Sequence, residues 1–321
     1  MTETNPGAPA LYDVRAAAKR LAPYIIRTPL VRLNLAGDFG EIYLKLENLQ
    51  PIGAYKVRSM GNVMLSADPE TLRNGVYTAS SGNAGLAMAW MARHLGVAAR
   101  VYAPQGSPAA KLDAIEGFGA EICLLDADEW WQIIENRGHS MDPGVYVDAV
   151  RDELALAGNA TIGLEIIEQL PDVETVIVPF GGGGVICGIA AAVGELKAGT
   201  RIIAAESEAA APVTAALKAG RPVTVPMHAS FISGVGAPSV LSEMWPLIRK
   251  FIDDTRVVPV SAVTAAIRAI CRHNHVIAEG AGAIPVAAAL AEQDVRGKTV
   301  CVITGGNIDL DVLAQILRAE M

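Results

Sequence analysis

Four consecutive glycines at positions 181–184 follow an apolar segment typical of a strand and precede an apolar segment typical of a helix. Such a junction leaves backbone N–H groups bare, and the helix start adds its positive dipole end, so a phosphate could bind there. The dinucleotide fingerprint GxGxxG does not fit, because Ile186 or Cys187 stands where its last glycine belongs, and no lysine follows to make a P-loop. The alternative is a tight turn that packs a strand on a helix. The candidate phosphate-binding residues are Gly181, Gly182, Gly183 and Gly184.

A second strand-to-helix junction, at 80–85, reads SSGNAG and combines two hydroxyls, an amide and exposed N–H groups. Donors that converge at a helix start can hold a carboxylate. The alternative is an ordinary helix cap, which needs only one residue of this kind. The candidate carboxylate-binding residues are Ser80, Ser81, Gly82, Asn83 and Ala84.

Two further signals are single side chains. Lys56 lies just beyond a turn, where most lysines are solvated, but a lysine desolvated in a pocket can act as a nucleophile that forms a Schiff base. Thr304 opens the run TGGN at the C-terminal end of an apolar strand, which is where ligands gather in parallel sheets. The alternative for this run is a turn into the last helix, with Asn307 or Asp309 as its cap.

Strand-like and helix-like apolar patterns alternate along most of the chain, which indicates βαβ units and parallel sheets. Strands are predicted at 41–46, 76–80, 100–104, 121–125, 173–179, 201–206 and 298–304. Helices are predicted at 11–22, 59–66, 84–95, 109–117, 185–197, 212–219, 261–275, 283–291 and 309–319. The polar stretch 135–145 is interpreted as a crossover between domains.

Composition limits the class of protein. The 321 residues suffice for two domains or one large one, and with 51% hydrophobic but only 5% aromatic residues the core must be aliphatic, as a buried parallel sheet requires. A net charge of −8 without a basic stripe argues against a nucleic-acid partner. No apolar run approaches the roughly 18 residues that span a bilayer, and the polar N-terminus does not resemble a signal peptide. The four cysteines form no CxxC pair, so we expect buried, reduced thiols in a cytoplasmic protein.

The motifs, in this order, resemble the pyridoxal-phosphate enzymes of the tryptophan-synthase-β type (fold type II), and within them the serine/threonine dehydratase and serine racemase branch. The similarity extends from about residue 12 to 315. Besides the three runs already quoted, it includes TPL at 28–30, YLKLENLQPIGAYKVR at 43–58, TIGLEI at 161–166 and EGAGA at 279–283.

The resemblance implies an α/β fold of two domains, each a parallel-rich sheet flanked by helices, with the cofactor in the cleft between them. A large cofactor-binding domain would be built from both ends of the chain, and a small domain would carry the substrate-carboxylate loop. The large domain would comprise 1–59 and 151–321, and the small domain 60–150.

The resemblance also assigns roles. Lys56 would hold pyridoxal 5′-phosphate through a Schiff base and act as the base on the substrate α-carbon, while Asn83 would hydrogen-bond the pyridine hydroxyl. Thr304 would contact the ring nitrogen, and because a hydroxyl is neutral, the ring would be a weaker electron sink, which favours loss of a β-leaving group over transamination. Ser81 matches the second acid/base of the racemases. The implied cofactor-binding set is Lys56, Tyr55, Asn83, Gly181, Gly182, Gly183, Gly184, Glu279 and Thr304, and the implied catalytic pair is Lys56 and Ser81.

The implied activity is a dehydratase that converts a β-hydroxy amino acid to a 2-oxo acid and ammonia, in a homodimer. The substrate would be of the threonine or serine type, or a bulkier 3-hydroxy amino acid. The alternatives are a serine or hydroxyaspartate racemase and a β-replacement enzyme of the cysteine-synthase type. Ala84 and Asn159 depart from the His and Gln usual in the family, which leaves the substrate open. Arg151 is interpreted as a surface charge or as a partner of a second carboxylate.

Some members of this branch carry a divalent cation near the cofactor. Glu206 and Ala210 match the ligand pattern here, but Pro212 stands where an aspartate is expected. Because one carboxylate ligand is lost, we predict that no metal is bound at this position.

Overall fold

The computed structural model describes residues 5–37, 39–291 and 297–318. The described strands are β1 Leu30–Arg32, β2 Glu41–Lys45, β3 Val76–Ala79, β4 Ala99–Pro104, β5 Glu121–Leu125, β6 Val145–Tyr146, β7 Thr175–Pro179, β8 Arg201–Ser207, β9 Asp254–Val258 and β10 Lys298–Val302. The described α-helices are α1 Leu11–Leu21, α2 Lys56–Ser66, α3 Pro69–Leu72, α4 Asn83–Leu95, α5 Ala109–Glu116, α6 Ala127–Glu135, α7 Glu153–Gln169, α8 Gly184–Leu196, α9 Pro212–Ala219, α10 Trp245–Phe251, α11 Val260–Asn274, α12 Gly280–Ala291 and α13 Leu310–Arg318.

Among the described residues, the larger sheet has six strands in the order β1-β2-β10-β7-β8-β9, and only the β1–β2 pair is antiparallel. Alternate side chains of its central strands enter two separate apolar clusters. Val176 and Val178 of β7 join the cluster under α8, whereas Ile177 joins the cluster under α11 and α12. Because both faces of the sheet are covered by helices, its strands are apolar at successive positions instead of alternating with polar ones.

The smaller sheet has four parallel strands in the order β5-β4-β3-β6. Its strands come from one continuous stretch, between Val76 and Tyr146, while the larger sheet takes strands from both sides of that stretch. The predicted α/β class, with parallel-rich sheets flanked by helices, is confirmed. The predicted domain boundaries stay a prediction, and the first of them falls inside α2.

Two expectations from composition can be compared with the structure. No helix within the described ranges is long and apolar enough to span a membrane. All four cysteines are free, but only Cys187 and Cys301 are buried, because Cys123 and Cys271 keep part of their surface exposed. The expectation of buried thiols therefore holds for two of the four.

Two differences from the predicted elements bear on the site. Helix α2 begins at Lys56, ahead of the predicted start at 59, so Lys56 lies in the first turn of a helix. Helix α7 is absent from the predicted elements, because Gly158 and Gly163 inside it disfavour a helix. These glycines allow close packing instead: a Cβ at Gly158 would lie 2.3 Å from the Arg58 carbonyl oxygen, and one at Gly163 would lie 2.6 Å from that of Ile189.

Candidate active site

Three adjacent parallel strands bring the main candidate residues to one edge of the larger sheet. Strand β10 pairs with β2 on one side and with β7 on the other. The chain leaves the carboxyl end of β2 toward Lys56, that of β10 at Thr304, and that of β7 at the glycine run. Ligands of open parallel sheets bind beyond the carboxyl ends of the strands, so this edge is the expected place for a site.

The glycine run forms a loop that has no room for side chains on most of its length. A Cβ at Gly181 would lie 2.8 Å from the carbonyl oxygen of Gly234, and one at Gly182 would lie 2.8 Å from a methyl group of Val150. Gly183 has a φ of +92°, which favours glycine. The first N–H groups of α8 have no partner within the helix and face the loop. The loop is therefore suited to hold an anion through backbone donors.

Lys56 and Thr304 belong to neighbouring segments that are hydrogen-bonded to each other. The Tyr55 N–H donates to the Thr304 carbonyl oxygen at 2.9 Å, and the Gly306 N–H donates to the Gly53 carbonyl oxygen at 2.9 Å. Thr304 is buried, whereas Lys56 is half-buried, with its ammonium 5.1 Å from the centre of the Tyr55 ring. Within the described ranges the structure gives Lys56 no ion pair, so the amine is available to a ligand.

The SSGNAG run forms the predicted junction between β3 and α4, with Asn83 as the first helical residue. The loop turns tightly: a Cβ at Gly85 would lie 2.5 Å from the Ser80 carbonyl oxygen, while one at Gly82 would meet nothing within 4 Å. The Ser80 hydroxyl accepts from the Gly82 N–H at 3.2 Å. Ser81 is half-buried and Ala84 is buried. The loop thus brings two hydroxyl groups and the backbone at the start of α4 together beside the open space at Gly82.

Glu279 joins this loop to the end of β10. Its carboxylate accepts from the Asn83 side-chain N–H at 2.9 Å, and its own N–H donates to the Gly305 carbonyl oxygen at 2.9 Å. Burial raises the pKa of Glu279 to about 7, although the Asn83 hydrogen bond and the charge of Lys111 act in the opposite direction. A buried carboxyl that changes charge near neutral pH is common in functional sites and is consistent with the predicted place of Glu279 in the cleft.

Behind Lys56 lies a buried ionic network that the sequence did not reveal. Arg58 donates to both oxygens of Glu47, at 2.7 and 2.8 Å, and to Glu165 at 2.8 Å. Lys45 donates to Glu165 at 2.5 Å. Burial acts to raise the pKa of Glu47, but the Arg58 guanidinium outweighs it and holds that pKa below its usual range. The sequence feature that could have indicated this network is the pair of charged residues Lys45 and Glu47, which alternate with leucines.

Arg151 lies in the interior, so its interpretation as a surface charge is wrong. It is only 3% exposed. Its guanidinium donates to Asp148 at 2.9 Å, to Glu243 at 3.0 Å, and to the Ile134 carbonyl oxygen. All three guanidinium nitrogens have a partner within the protein, and the role as partner of a second carboxylate stays a prediction. It anchors the chain next to Val150, which contacts the glycine loop.

Glu206 has a role within its own segment. One carboxylate oxygen accepts from the Val213 N–H at 2.9 Å, and the other accepts from the Thr214 N–H at 2.9 Å and from its hydroxyl at 2.6 Å. Burial raises the pKa of Glu206. The carboxylate therefore serves the first turn of α9, which starts at Pro212. The absence of a bound metal stays a prediction.

The fold and the site together are those of an α/β enzyme with a glycine loop, a lysine and an amide at one edge of a parallel sheet. The chain matches the family described as "Pyridoxal-phosphate dependent enzyme" over residues 21–305, and it belongs to that family. The L-threonine ammonia-lyase of Geobacter sulfurreducens is 37% identical over 318 residues, which cover 95% of this chain and 77% of that protein. The resemblance to fold type II and to the dehydratase and racemase branch is confirmed.

Solved structures are similar over nearly the whole chain. Maize serine racemase superposes with a TM-score of 0.90 at 31% identity, covering 96% of this chain and 97% of that one. A threonine deaminase from T.th. superposes with a TM-score of 0.87 at 30% identity, covering 94% of this chain and 99% of that one.

The residues present fit pyridoxal 5′-phosphate. A loop in which a Cβ at Gly181 or Gly182 would collide with its neighbours suits a phosphate that needs backbone donors. Lys56 supplies an amine, and Asn83 keeps one side-chain N–H beyond the one it gives to Glu279. The segments that carry Lys56 and Asn83 are joined through Asn307, which donates to the Ile52 carbonyl oxygen and to the Asn83 side-chain oxygen.

Proposed function

We propose that this protein is a dehydratase (ammonia-lyase) that converts a β-hydroxy amino acid of the threonine or serine type to a 2-oxo acid and ammonia. The observation that carries the proposal is the hydrogen bond from the Tyr55 N–H to the Thr304 carbonyl oxygen, because it joins the segment that carries Lys56 to the residue whose neutral hydroxyl is assigned to the ring nitrogen. The L-threonine ammonia-lyase relative at 37% identity supports the same activity.

When bound, pyridoxal 5′-phosphate supplies an electron sink that makes the substrate α-proton acidic. In this proposal Lys56 binds the cofactor and then removes that proton, and its position in the first turn of α2 fixes where the amine stands. The N–H groups of Gly181 to Gly184 hold the phosphate. Tyr55 packs beside the Lys56 amine, with its ring 5.1 Å away.

The substrate carboxylate is assigned to the loop between β3 and α4. Gly82 leaves open space in front of the loop, so a small anion can approach the backbone there. A carboxylate in this place is held by N–H groups at the start of α4 and by hydroxyl groups. The residues proposed for it are Ser80, Ser81, Gly82, Asn83 and Ala84.

The second candidate is a serine racemase. It is favoured by the maize serine racemase superposition and by the half-buried Ser81, which could return a proton to the opposite face of the α-carbon. Racemisation and elimination share the removal of the α-proton by Lys56 and differ in the next step, which is reprotonation of the α-carbon in one and loss of the β-hydroxyl in the other. The same protein could therefore be tested for both activities with one substrate panel.

The test is to mix holoenzyme with L- and D-serine, L-threonine, 3-hydroxyaspartate and 3-phenylserine, and to measure ammonia, 2-oxo acid and the chirality of the remaining substrate. Equal amounts of ammonia and 2-oxo acid are expected. Inverted substrate without oxo acid would establish the racemase instead. Lys56→Ala should abolish activity, and Lys218→Ala, at an exposed lysine of α9, should keep it.

The proposal includes the assembly and the arrangement of the protein. We assign the large domain to 1–59 and 151–321 and the small domain to 60–150, which agrees with the separate sheets. A homodimer in the cytoplasm, with a small amino acid as its substrate, completes the proposal. Light scattering of the purified holoenzyme tests the dimer.

A further inference from the structure

A chain of hydrogen bonds through three side chains begins at a backbone carbonyl beside the Lys56 turn and ends at the buried Glu279. The Asn307 side-chain nitrogen donates to the Ile52 carbonyl oxygen at 2.9 Å and to the Asn83 side-chain oxygen at 2.8 Å. The Asn83 side-chain nitrogen then donates to Glu279 at 2.9 Å. Each hydrogen bond in this chain has one direction, so the order of donors and acceptors can be followed from one end to the other.

The Ile52 carbonyl determines that direction, because a backbone carbonyl can only accept. The Asn307 NH₂ group, and not its oxygen, must therefore face the Ile52 carbonyl. With that group facing Asn83, only the Asn83 oxygen can make a hydrogen bond on this side. The Asn83 NH₂ group is then directed to the opposite side, where the Glu279 carboxylate accepts one of its two hydrogens.

The reversed orientation of Asn83 would lose both bonds. Its NH₂ group would face the NH₂ group of Asn307, and its oxygen would face the Glu279 carboxylate. Neither pair of like groups can form a hydrogen bond when the carboxylate is ionised. The reversed amide would be half-buried without either of its partners. Such a loss destabilises the folded protein or weakens binding of the cofactor.

Two glycines make room for the chain. A Cβ at Gly53, which has a φ of +71°, would lie 2.6 Å from the Asn307 side-chain oxygen. A Cβ at Gly305 would lie 2.3 Å from the Glu279 carboxylate and 3.3 Å from the Asn83 side-chain nitrogen. The backbone thus accommodates this arrangement at two separate positions, and a side chain at either one would displace it.

We propose that Asn307 and Glu279 are positioning residues that fix the orientation of the Asn83 amide, so that its second N–H faces the phenolic oxygen of the bound cofactor. This inference rests on the proposed function, because Asn83 meets that oxygen only when pyridoxal 5′-phosphate is held by Lys56. Neither positioning residue needs to touch the reacting atoms. Asn307 and Glu279 act on the cofactor through the Asn83 amide, whereas Lys56 acts on it directly.

Asn307→Asp tests the proposal, because an aspartate has the same shape but presents only acceptors when it is ionised. The Asn83 NH₂ group would then have an acceptor on both sides, so its orientation is no longer fixed, and in the reversed orientation the cofactor oxygen loses its N–H donor. An oxygen without that donor holds its proton more tightly, so the pH at which the visible absorption band of the holoenzyme is half-titrated should rise by about one unit. The dissociation constant of pyridoxal 5′-phosphate should increase about tenfold.

Asn48→Asp is the matched control. Asn48 also braces the loop around Gly306, through a 2.9 Å hydrogen bond to the Ile277 carbonyl oxygen, but it lies outside the chain that orients Asn83. Its titration midpoint should equal that of the wild type. If Asn307→Asp does not fold, Asn307→Ala removes both Asn307 bonds without a charge. Because Glu279 alone then orients Asn83, the midpoint should rise in this variant by less than about one unit.

The outcomes separate this inference from the proposed function. If wild-type protein with pyridoxal 5′-phosphate shows no visible band, the proposed function fails. If the wild type shows the band, and folded Asn307 variants keep both its midpoint and the cofactor affinity, the positioning role is wrong and the function stands. A shift in the variants that is absent in Asn48→Asp supports the role, because a merely structural contact would not move the midpoint.

Discussion

Arg58 and Glu47 form a two-pronged ion pair, with N–O distances of 2.7 and 2.8 Å, in which neither side chain has any solvent exposure. Arg58 follows Lys56 by two positions in α2, so the pair anchors the turn of helix from which the amine projects. A guanidinium and a carboxylate that meet through two parallel bonds hold their geometry more firmly than a single contact. The ion pair therefore helps to hold the first turn of α2, and with it Lys56, in place.

Arg58→Ala should lower the free energy of unfolding by about 3–5 kcal/mol, because Glu47 would stay buried with its charge uncompensated. Urea unfolding monitored by circular dichroism measures the loss. Arg73→Ala is the control, since Arg73 pairs with Glu70 at the surface with side chains 73% and 70% exposed. That change should cost no more than about 0.5 kcal/mol. Equal losses in the two variants would contradict the structural role of the buried pair.

Gly183→Ala should weaken both the fold and cofactor binding. Its φ of +92° strains any residue with a Cβ, at a cost of about 1–2 kcal/mol, and the loop would have to shift. Gly194→Ala is the control in the same helix, because a Cβ there meets nothing within 4 Å. It should stabilise α8 by about 0.5–1 kcal/mol. Unfolding and fluorescence titration with pyridoxal 5′-phosphate compare the two; unchanged affinity in Gly183→Ala would argue against the phosphate site.

The stability of the protein without added cofactor should fall as the pH rises from about 4.5 to about 7 because of Glu279. Burial raises its pKa from the ordinary value of 4.5 to about 7, so in this range the folded state keeps a proton that the unfolded chain releases. Bound protons in the folded state make stability decrease with pH, here by on the order of 3 kcal/mol in total.

Glu279→Gln isolates that contribution, since glutamine does not titrate. The stability of the variant relative to the wild type should therefore increase as the pH rises through this range. Urea unfolding at several pH values between about 4 and 8 gives the difference. A constant difference between the two proteins across the range would show that Glu279 does not titrate as its burial implies.

Activity should be the same with excess chelator as with added Mg²⁺ or Ca²⁺. Both oxygens of Glu206 already accept hydrogen bonds from Val213 and Thr214, and Pro212 offers no side-chain oxygen. A cation would need to displace three donors and would still lack a second carboxylate. Assays of holoenzyme dialysed against EDTA, with and without each cation, measure the effect. A loss of activity that either cation restores would contradict the prediction.

Residues whose roles depend on the local chain could be predicted from the sequence. The glycine run between two apolar segments specifies a strand, a loop and a helix by itself, and the structure contains β7, the loop and α8 there. The junction at Asn83 and the end of β10 before Thr304 are equally local. In each case, the elements that position the residue are its immediate neighbours.

Contacts between distant segments could not be predicted in this way. Glu165 lies 107 positions from Arg58, and Glu243 lies 92 positions from Arg151, so no local pattern relates them. Arg151 resembles any arginine in a polar segment until the fold encloses it. Helix α7 escapes prediction for the same reason: Gly158 disfavours a helix locally, and only its contact with Arg58 in another helix explains it.

The glycine loop is completed by chain segments that arrive from elsewhere. Val150, which packs on Gly182, follows the last strand of the smaller sheet, and Gly234, which packs on Gly181, lies beyond β8 and α9 in the chain. The loop cannot take this shape in a partly folded chain that lacks either segment. A ligand held there would bind only the native state and stabilise it by mass action. Cofactor availability in the cell would therefore govern how much of the newly made protein survives quality control.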